Sequence, residues 1–179
     1  MVQNLRGFDR PQRHLRACCD RQYAYQGAPL GGGWKRGAFK QALGKSRGGR
    51  TSKLHALTDG KGRPRVLILT AGNAHDITVA AELIERAGPI RHLLADKAYD
   101  ANYLRLLLAK RRIKAVIPST ASRSTPIPYS KRLYKERNRI ERMWCRIKDW
   151  RRVATRYDKL ARNYLSGAYI AAILACWLN

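Results

Sequence analysis

Residues 92–118 read HLLADKAYDANYLRLLLAKRRIKAVIP. The short apolar run His92 to Ala95 reads as a strand that ends at Asp96. Asp100 stands where a helix N-cap is wanted, and Leu104, Leu107 and Leu108 recur at the spacing of one helical face as far as Arg111. Lys114 to Ile117 is a second strand, stopped by Pro118. A strand, a helix and another strand in such close succession are the unit of a sheet covered by helices.

The stretches on either side extend this unit. Upstream, Thr51 to Thr58 alternates apolar and polar residues, Val66 to Thr70 is a short apolar run, and Asp59-Gly60-Lys61-Gly62 lies between them. The pair predicts an antiparallel hairpin. Asp76 is placed to cap a helix through about Ala87, with Val79, Leu83 and Ala87 on one face and Gly88-Pro89 ending it. Downstream, Ser119 to Ser130 holds Pro126 and Pro128 among Ser and Thr and reads as an exposed loop. Helices over Leu133 to about Trp150 and Lys159 to Trp177 complete the chain. The order defines an α/β fold, with a mixed sheet flanked by helices.

The chain has 179 residues, 45% of them hydrophobic, which is enough for one globular domain with a core. Against 12 Asp and Glu stand 37 Lys and Arg, a formal charge of +25. Such an excess opposes compaction unless a polyanion offsets it, and nucleic acid is the commonest such partner. A ribosomal or anionic-membrane protein would share this charge. The cysteines Cys18, Cys19, Cys145 and Cys176 form no C-x-x-C pair, so neither a zinc site nor a disulfide framework is readable, as befits a reducing cytoplasm. Met1 to Arg16 is charged throughout and lacks the apolar run of a signal peptide. Leu165 to Leu178 is too short to span a bilayer comfortably and reads as a buried helix.

Chemistry concentrates on the helix that holds Tyr134, Arg137, Glu141 and Lys148. Their gaps of three, four and seven residues put all four on one narrow stripe. An apolar stripe (Leu133, Ile140, Met143, Trp144, Ile147) runs beside it, and Lys135, Arg139, Arg142 and Arg146 form a cationic face. An amphipathic helix with ordinary solvated charges would show the same three faces.

The pattern Y-x-x-R-x-x-x-E-x-x-x-x-x-x-K resembles the signature of the DDE transposases of bacterial insertion sequence families four and five. Tyr134–Arg137, Ile140–Arg142, Arg151–Lys159, Gly44–Gly49, Gly72–Asp76 and Ala95–Asp100 resemble family five in particular, from about residue 42 to the C-terminus. The resemblance implies a ribonuclease H-like fold for residues 42–179, and cutting and joining of DNA strands. It carries the second acidic metal ligand onto Asp96 and the third onto Glu141, and it places Tyr134, Arg137 and Lys148 at the DNA end being processed. Arg142 and Arg146 add phosphate contacts. Hydrolysing a phosphodiester needs an activated water and a stabilised leaving oxygen. Two Mg²⁺ ions (or Mn²⁺) on oxygen ligands supply both. The implied partners are double-stranded DNA, the terminal inverted repeats of the element and a second copy of the chain, in the bacterial cytoplasm and with no membrane.

Other motifs have blander readings. Gly44-Lys45-Ser46 suggests a phosphate loop, but Phe39 stands where its first glycine is required. His75 and Asp76 read equally as support for the site or as a helix cap beside a satisfied histidine. Trp144, Trp150 and Trp177 read as core.

The resemblance breaks upstream of residue 42. The family's first aspartate lies on an opening strand in an Asp-Ser-Thr-like context, and only Asp9 and Asp20 are available, Asp20 within Cys19-Asp20-Arg21-Gln22-Tyr23. Residues 1–41 are basic, rich in Gly and without alternation. The expectation is therefore that they supply no proper first strand, that Asp20 only approximates the missing ligand, and that the copy is N-terminally truncated or frameshifted. An inactive DNA-binding remnant is the alternative to an active transposase.

Overall fold

The computed structural model describes residues 16–25 as backbone, together with residues 41–46 and 49–178. Its six strands form one sheet: β1 (Arg16–Tyr25), β2 (Gly44–Ser46), β3 (Gly49–Thr58), β4 (Pro64–Ala71), β5 (His92–Ala95) and β6 (Lys114–Val116). The spatial order is β2-β3-β1-β5-β6, with β4 also paired to β3. β3 runs antiparallel to β1 and β4, whereas β5 is parallel to β1 and β6 parallel to β5. The helices are α1 (Ala80–Ala87), α2 (Asn102–Lys110), α3 (Lys131–Tyr134), α4 (Asn138–Lys148), α5 (Arg151–Ala154) and α6 (Ala161–Cys176). The fold is mixed α/β, as the order of sequence elements predicts.

Strand alternation sorts the core onto two faces. Leu57, Val66, Leu93 and Ala95 pack with Leu83 and Ile84 of α1 and Leu104 and Leu108 of α2. Leu54, Ala56, Leu67 and Leu94 face the other way, onto Ile140, Met143, Trp144 and Ile147 of α4, Val153 of α5 and Ala168, Ala171 and Ala172 of α6. Trp144 is core as expected, but Trp150 and Trp177 are 42% and 44% exposed. Trp177 instead donates from Nε1 to the Pro64 carbonyl and stacks under Arg63. No described helix is long and apolar enough to cross a membrane.

The expectation for the N-terminal segment is overturned at one point. Residues 16–25 form the central strand, paired with β3 from Cys18 to Tyr25 and with β5 from Arg16 to Cys19. A strand flanked on both sides is fixed by its backbone partners, and that pairing overrides weak local β-propensity. RACCDRQYAY has no β-branched residue and no clean alternation, so nothing local announced it. A boundary at residue 41 therefore divides one sheet. Asp9 lies outside the described residues.

Two predicted helix caps are also corrected. Asp76 is not the N-cap of α1; it is buried and ion-paired to Lys53 at 3.3 Å, and it opens a 3-10 turn (Asp76–Val79), capped by His75, that leads into α1. Asp100 precedes α2, whose N-cap is Ala101 without a side-chain bond. Its buried carboxylate instead receives Arg105 Nε at 2.7 Å, Arg123 Nε at 3.1 Å and the Thr120 amide at 2.8 Å. Arg105 also reaches the Ile117 carbonyl at 3.0 Å, so this knot ties the loop after β6 to α2.

Burial alone would raise the Asp100 pKa, but the bonds from Arg123, the Thr120 amide and Arg105 hold it well below the usual carboxylate range. A carboxyl depressed in the folded state stabilises the fold above its unfolded pKa of about 3.9, and that contribution disappears as pH falls through the folded value. Urea midpoints should therefore fall from pH 6 to pH 3 more steeply in the parent than in Asp100→Asn, which starts lower at pH 6. Parallel declines would remove Asp100 from the acid response.

Candidate catalytic carboxylates and nucleic-acid surface

Asp96 follows the last residue of β5 in extended conformation (φ −75°, ψ 176°) and accepts the Ala98 amide at 2.8 Å. It stands two residues after Leu94, which faces α4, and the period of two assigns Asp96 to that same face. Of the described acids, Asp59, Asp76, Glu82, Asp100, Glu136, Glu141 and Asp158 all form ion pairs. Half-buried Asp96 forms none among the described residues, although the chain carries +25.

The β1–β5 register ends at Cys19↔Ala95, so positions 20 and 96 are the next residues on adjacent parallel strands. Position 20 also stands opposite Ala56, a member of the cluster that α4 covers. The sheet thus brings the two aspartate positions together at one level, under the face that α4 crosses.

Residues 131–148 form one nearly continuous helical run, with a 3-10 turn at Lys135–Arg137 between α3 and α4. Ser130 caps its start, accepting from the Leu133 amide at 3.3 Å. Arg137 donates to Glu141 one turn on, and its guanidinium lies 5.8 Å from the Tyr134 ring centre. Tyr129 packs edge-on against Tyr134 at 5.4 Å. Burial pushes the Tyr134 hydroxyl up, Arg137 opposes this, and the charge of Asp96 adds to it. The stripe of Tyr134, Arg137 and Glu141 is therefore a physical unit, and Asp96 acts on its first member. Glu141 itself is half-exposed, bound to Arg137.

Lys148 lies exposed in the last turn of α4. Arg142 and Arg146 are exposed as well; Arg142 is bonded to Asn138 at 3.2 Å, and the charge of Arg146 is felt by Cys176 on α6. Helical spacing puts Arg142 and Arg146 on the cationic flank, beside the stripe that Lys148 continues. A cavity of about 460 Å³ between α5 and α6, lined by Trp150, Tyr164 and Ile170, has none of these carboxylates in its wall.

Similarity to known proteins specifies the family. The family model described as "Transposase DDE domain" matches residues 13–176. The chain belongs to this family, in its bacterial insertion-sequence branch. A Brucella ovis protein described as a transposase for insertion sequence element IS6501 is 34% identical over 130 residues, covering 72% of this chain and 99% of the relative. A Burkholderia cepacia protein described as a transposase for element IS402 is 32% identical over 137 residues, covering 70% of this chain and 63% of that protein. Among solved structures, a piggyBac transposase synaptic complex with hairpin DNA aligns with TM-score 0.43 and 16% identity, over 64% of this chain and 24% of that one. That likeness is too slight to bear on the fold.

The family implies a divalent metal, and the donor chemistry fits. Asp20, Asp96 and Glu141 offer oxygen donors only, as hard divalent ions require. Asp96 keeps clear of the cations that pair most other described acids, which leaves its carboxylate open to an ion.

Proposed function

We propose that this chain is the catalytic domain of an insertion-sequence transposase, with a ribonuclease H-like fold, that cuts and rejoins DNA strands at Asp20, Asp96 and Glu141. The observation that carries this reading is the register of β1 and β5, which sets Asp20 beside Asp96 on the level that the Glu141 helix crosses. The sheet order, with β3 antiparallel both to β4 and to β1 of the parallel set β1, β5 and β6, supports the fold.

In this reading Asp96 and Glu141 hold the metal at the end of β5, and Asp20 completes the ligand set. Bound Mg²⁺ ions, two in number and replaceable by Mn²⁺, would supply a water acidic enough to attack phosphorus at neutral pH and positive charge against the departing oxygen. The residues of the chain hold and orient. Tyr134, Arg137 and Lys148 position the DNA end along one helical stripe. Arg137 can exchange Glu141 for a phosphate at small cost, because an exposed i,i+4 pair is worth only about 0.3–0.5 kcal/mol. The substrate is duplex DNA carrying the terminal inverted repeats, with two copies of the chain serving the two ends in the bacterial cytoplasm.

The test is a nicking and strand-transfer assay on duplexes bearing the element ends, with Mg²⁺ or Mn²⁺. Metal-dependent cleavage supports the proposal. DNA binding without cleavage under any metal would instead identify an inactive remnant that keeps the basic surface.

Binding itself should be steeply salt-dependent, because the charge acts chiefly through phosphates. A log–log slope of magnitude at least about 5 is expected, and Arg142→Gln with Arg146→Gln should lower it by about 2. A slope near zero would assign the basic surface to another partner.

A further inference from the structure

A second cationic surface lies on the other face of the sheet from α4. The C-terminus of α2 carries Lys110 and runs into Arg111 and Arg112, and the chain enters β6 at Lys114. The Lys114 amide donates to the Arg91 carbonyl at 2.8 Å, which brings Arg91 to the same edge. All five side chains are exposed, and none forms an ion pair among the described residues. The acids of neighbouring α1 are Glu82, held by Arg86 at 2.6 Å, and Glu85. β6 ends the sheet order, so the cluster occupies a sheet edge, at the opposite end of β5 from Asp96.

Cations at a helix C-terminus complement its dipole, and that explains Lys110 and Arg111. It does not explain Arg91, which stands just before β5, or Lys114, which opens β6, nor the backbone at Arg112. The Ile113 amide reaches back to the Leu108 carbonyl at 2.8 Å, and Arg112 sits at φ +56°. This is the helix stop that glycine normally fills, because a Cβ crowds the left-handed conformation. The chain keeps an arginine at a strained position in the middle of the cluster, and strain retained at an exposed site points to use.

We infer that the edge formed by Arg91, Lys110, Arg112 and Lys114 binds the phosphate backbone of duplex DNA, as a surface separate from the α4 flank. The inference rests on the proposal that this chain acts on DNA. Strand joining brings two duplexes to one protein, and two basic surfaces on opposite faces of the sheet allow both to be held.

Two measurements test it. Arg112→Gly relieves the strain, so it should raise the thermal midpoint by about 2 °C while weakening affinity for a 30-bp duplex at 100 mM salt about five- to tenfold. A purely structural role moves both readouts in the same direction. Second, the salt slope of a Lys110→Gln, Arg112→Gly, Lys114→Gln triple variant should fall by about 3. A control triple of equal charge loss, Lys61→Gln, Arg151→Gln and Arg162→Gln, should fall by less than 1. Equal losses from the two triples, or Arg112→Gly affinity equal to the parent, would overturn the edge as a binding surface while leaving the DNA reading in place. Absence of DNA binding by the parent chain would remove both.

Discussion

Asp96→Asn is expected to reduce metal-dependent strand cleavage by on the order of 10³-fold, the scale on which an electrostatic catalytic group is lost, while duplex affinity stays within about twofold. Asparagine keeps the Ala98 contact available through its side-chain oxygen, so the turn after β5 survives and only the negative charge goes. Asp20→Asn should behave the same way, because the register gives the two positions equal standing at the strand ends. Asp149→Asn, at the exposed C-cap of α4, serves as the matched control and should cleave normally. Gel assays of cleavage and filter binding on the same preparations separate chemistry from binding. Full activity in Asp20→Asn would move the first ligand elsewhere. Full activity in Asp96→Asn would remove the carboxylate site altogether.

How much of this was legible in the sequence varies by segment, for a physical reason. Where burial is one-sided, the pattern announces itself. β5, the stripe Leu104 and Leu108 on α2, and the apolar stripe of α4 all appear where periodicity put them. The central strand β1 was illegible. It is held by backbone bonds to both neighbours, and such bonds leave no trace in side-chain alternation. The same blindness affected the caps. Asp76 and Asp100 stand in sequence where caps belong, but their carboxylates answer to Lys53 and to Arg105 and Arg123, the arginines 5 and 23 residues further on. Spacing can place an acid near a helix start. It cannot say which distant arginine claims it. For the candidate site, the stripe Tyr134–Arg137–Glu141 was readable from helical geometry, whereas the neighbourhood of Asp20 and Asp96 required the sheet.

A larger structural effect is expected at Arg156, a residue that sequence periodicity does not mark. Its side chain is buried, 1% exposed, and has no carboxylate bonded to it among the described residues. Instead its guanidinium donates to the carbonyls of Gln41 at 2.9 Å, Asp158 at 3.1 Å and Lys159 at 3.4 Å, and to the Ser52 hydroxyl. Ser52 in turn donates to the Ala42 carbonyl at 2.5 Å, and the Ala161 amide to the Gln41 side chain at 2.9 Å. One arginine thus fastens the segment before β2, the middle of the sheet and the lead into α6. Burial lowers its pKa from the usual arginine value, yet that value is so high that the group stays charged at neutral pH. Arg156→Met fills most of the volume but leaves several buried acceptors without a donor. Such a loss costs roughly 3–5 kcal/mol. For a domain of this size that corresponds to a fall in thermal midpoint of about 6–20 °C. Arg156→Lys, with fewer donors and no fork, should recover less than half of the loss. Hydrogen exchange should show the loosening first at residues 41–46 and 158–164, the two segments the guanidinium joins. A midpoint within about 2 °C of the parent for Arg156→Met would mean that water replaces the guanidinium at these carbonyls, and that packing of α6 on β4 holds the C-terminal half in place without it.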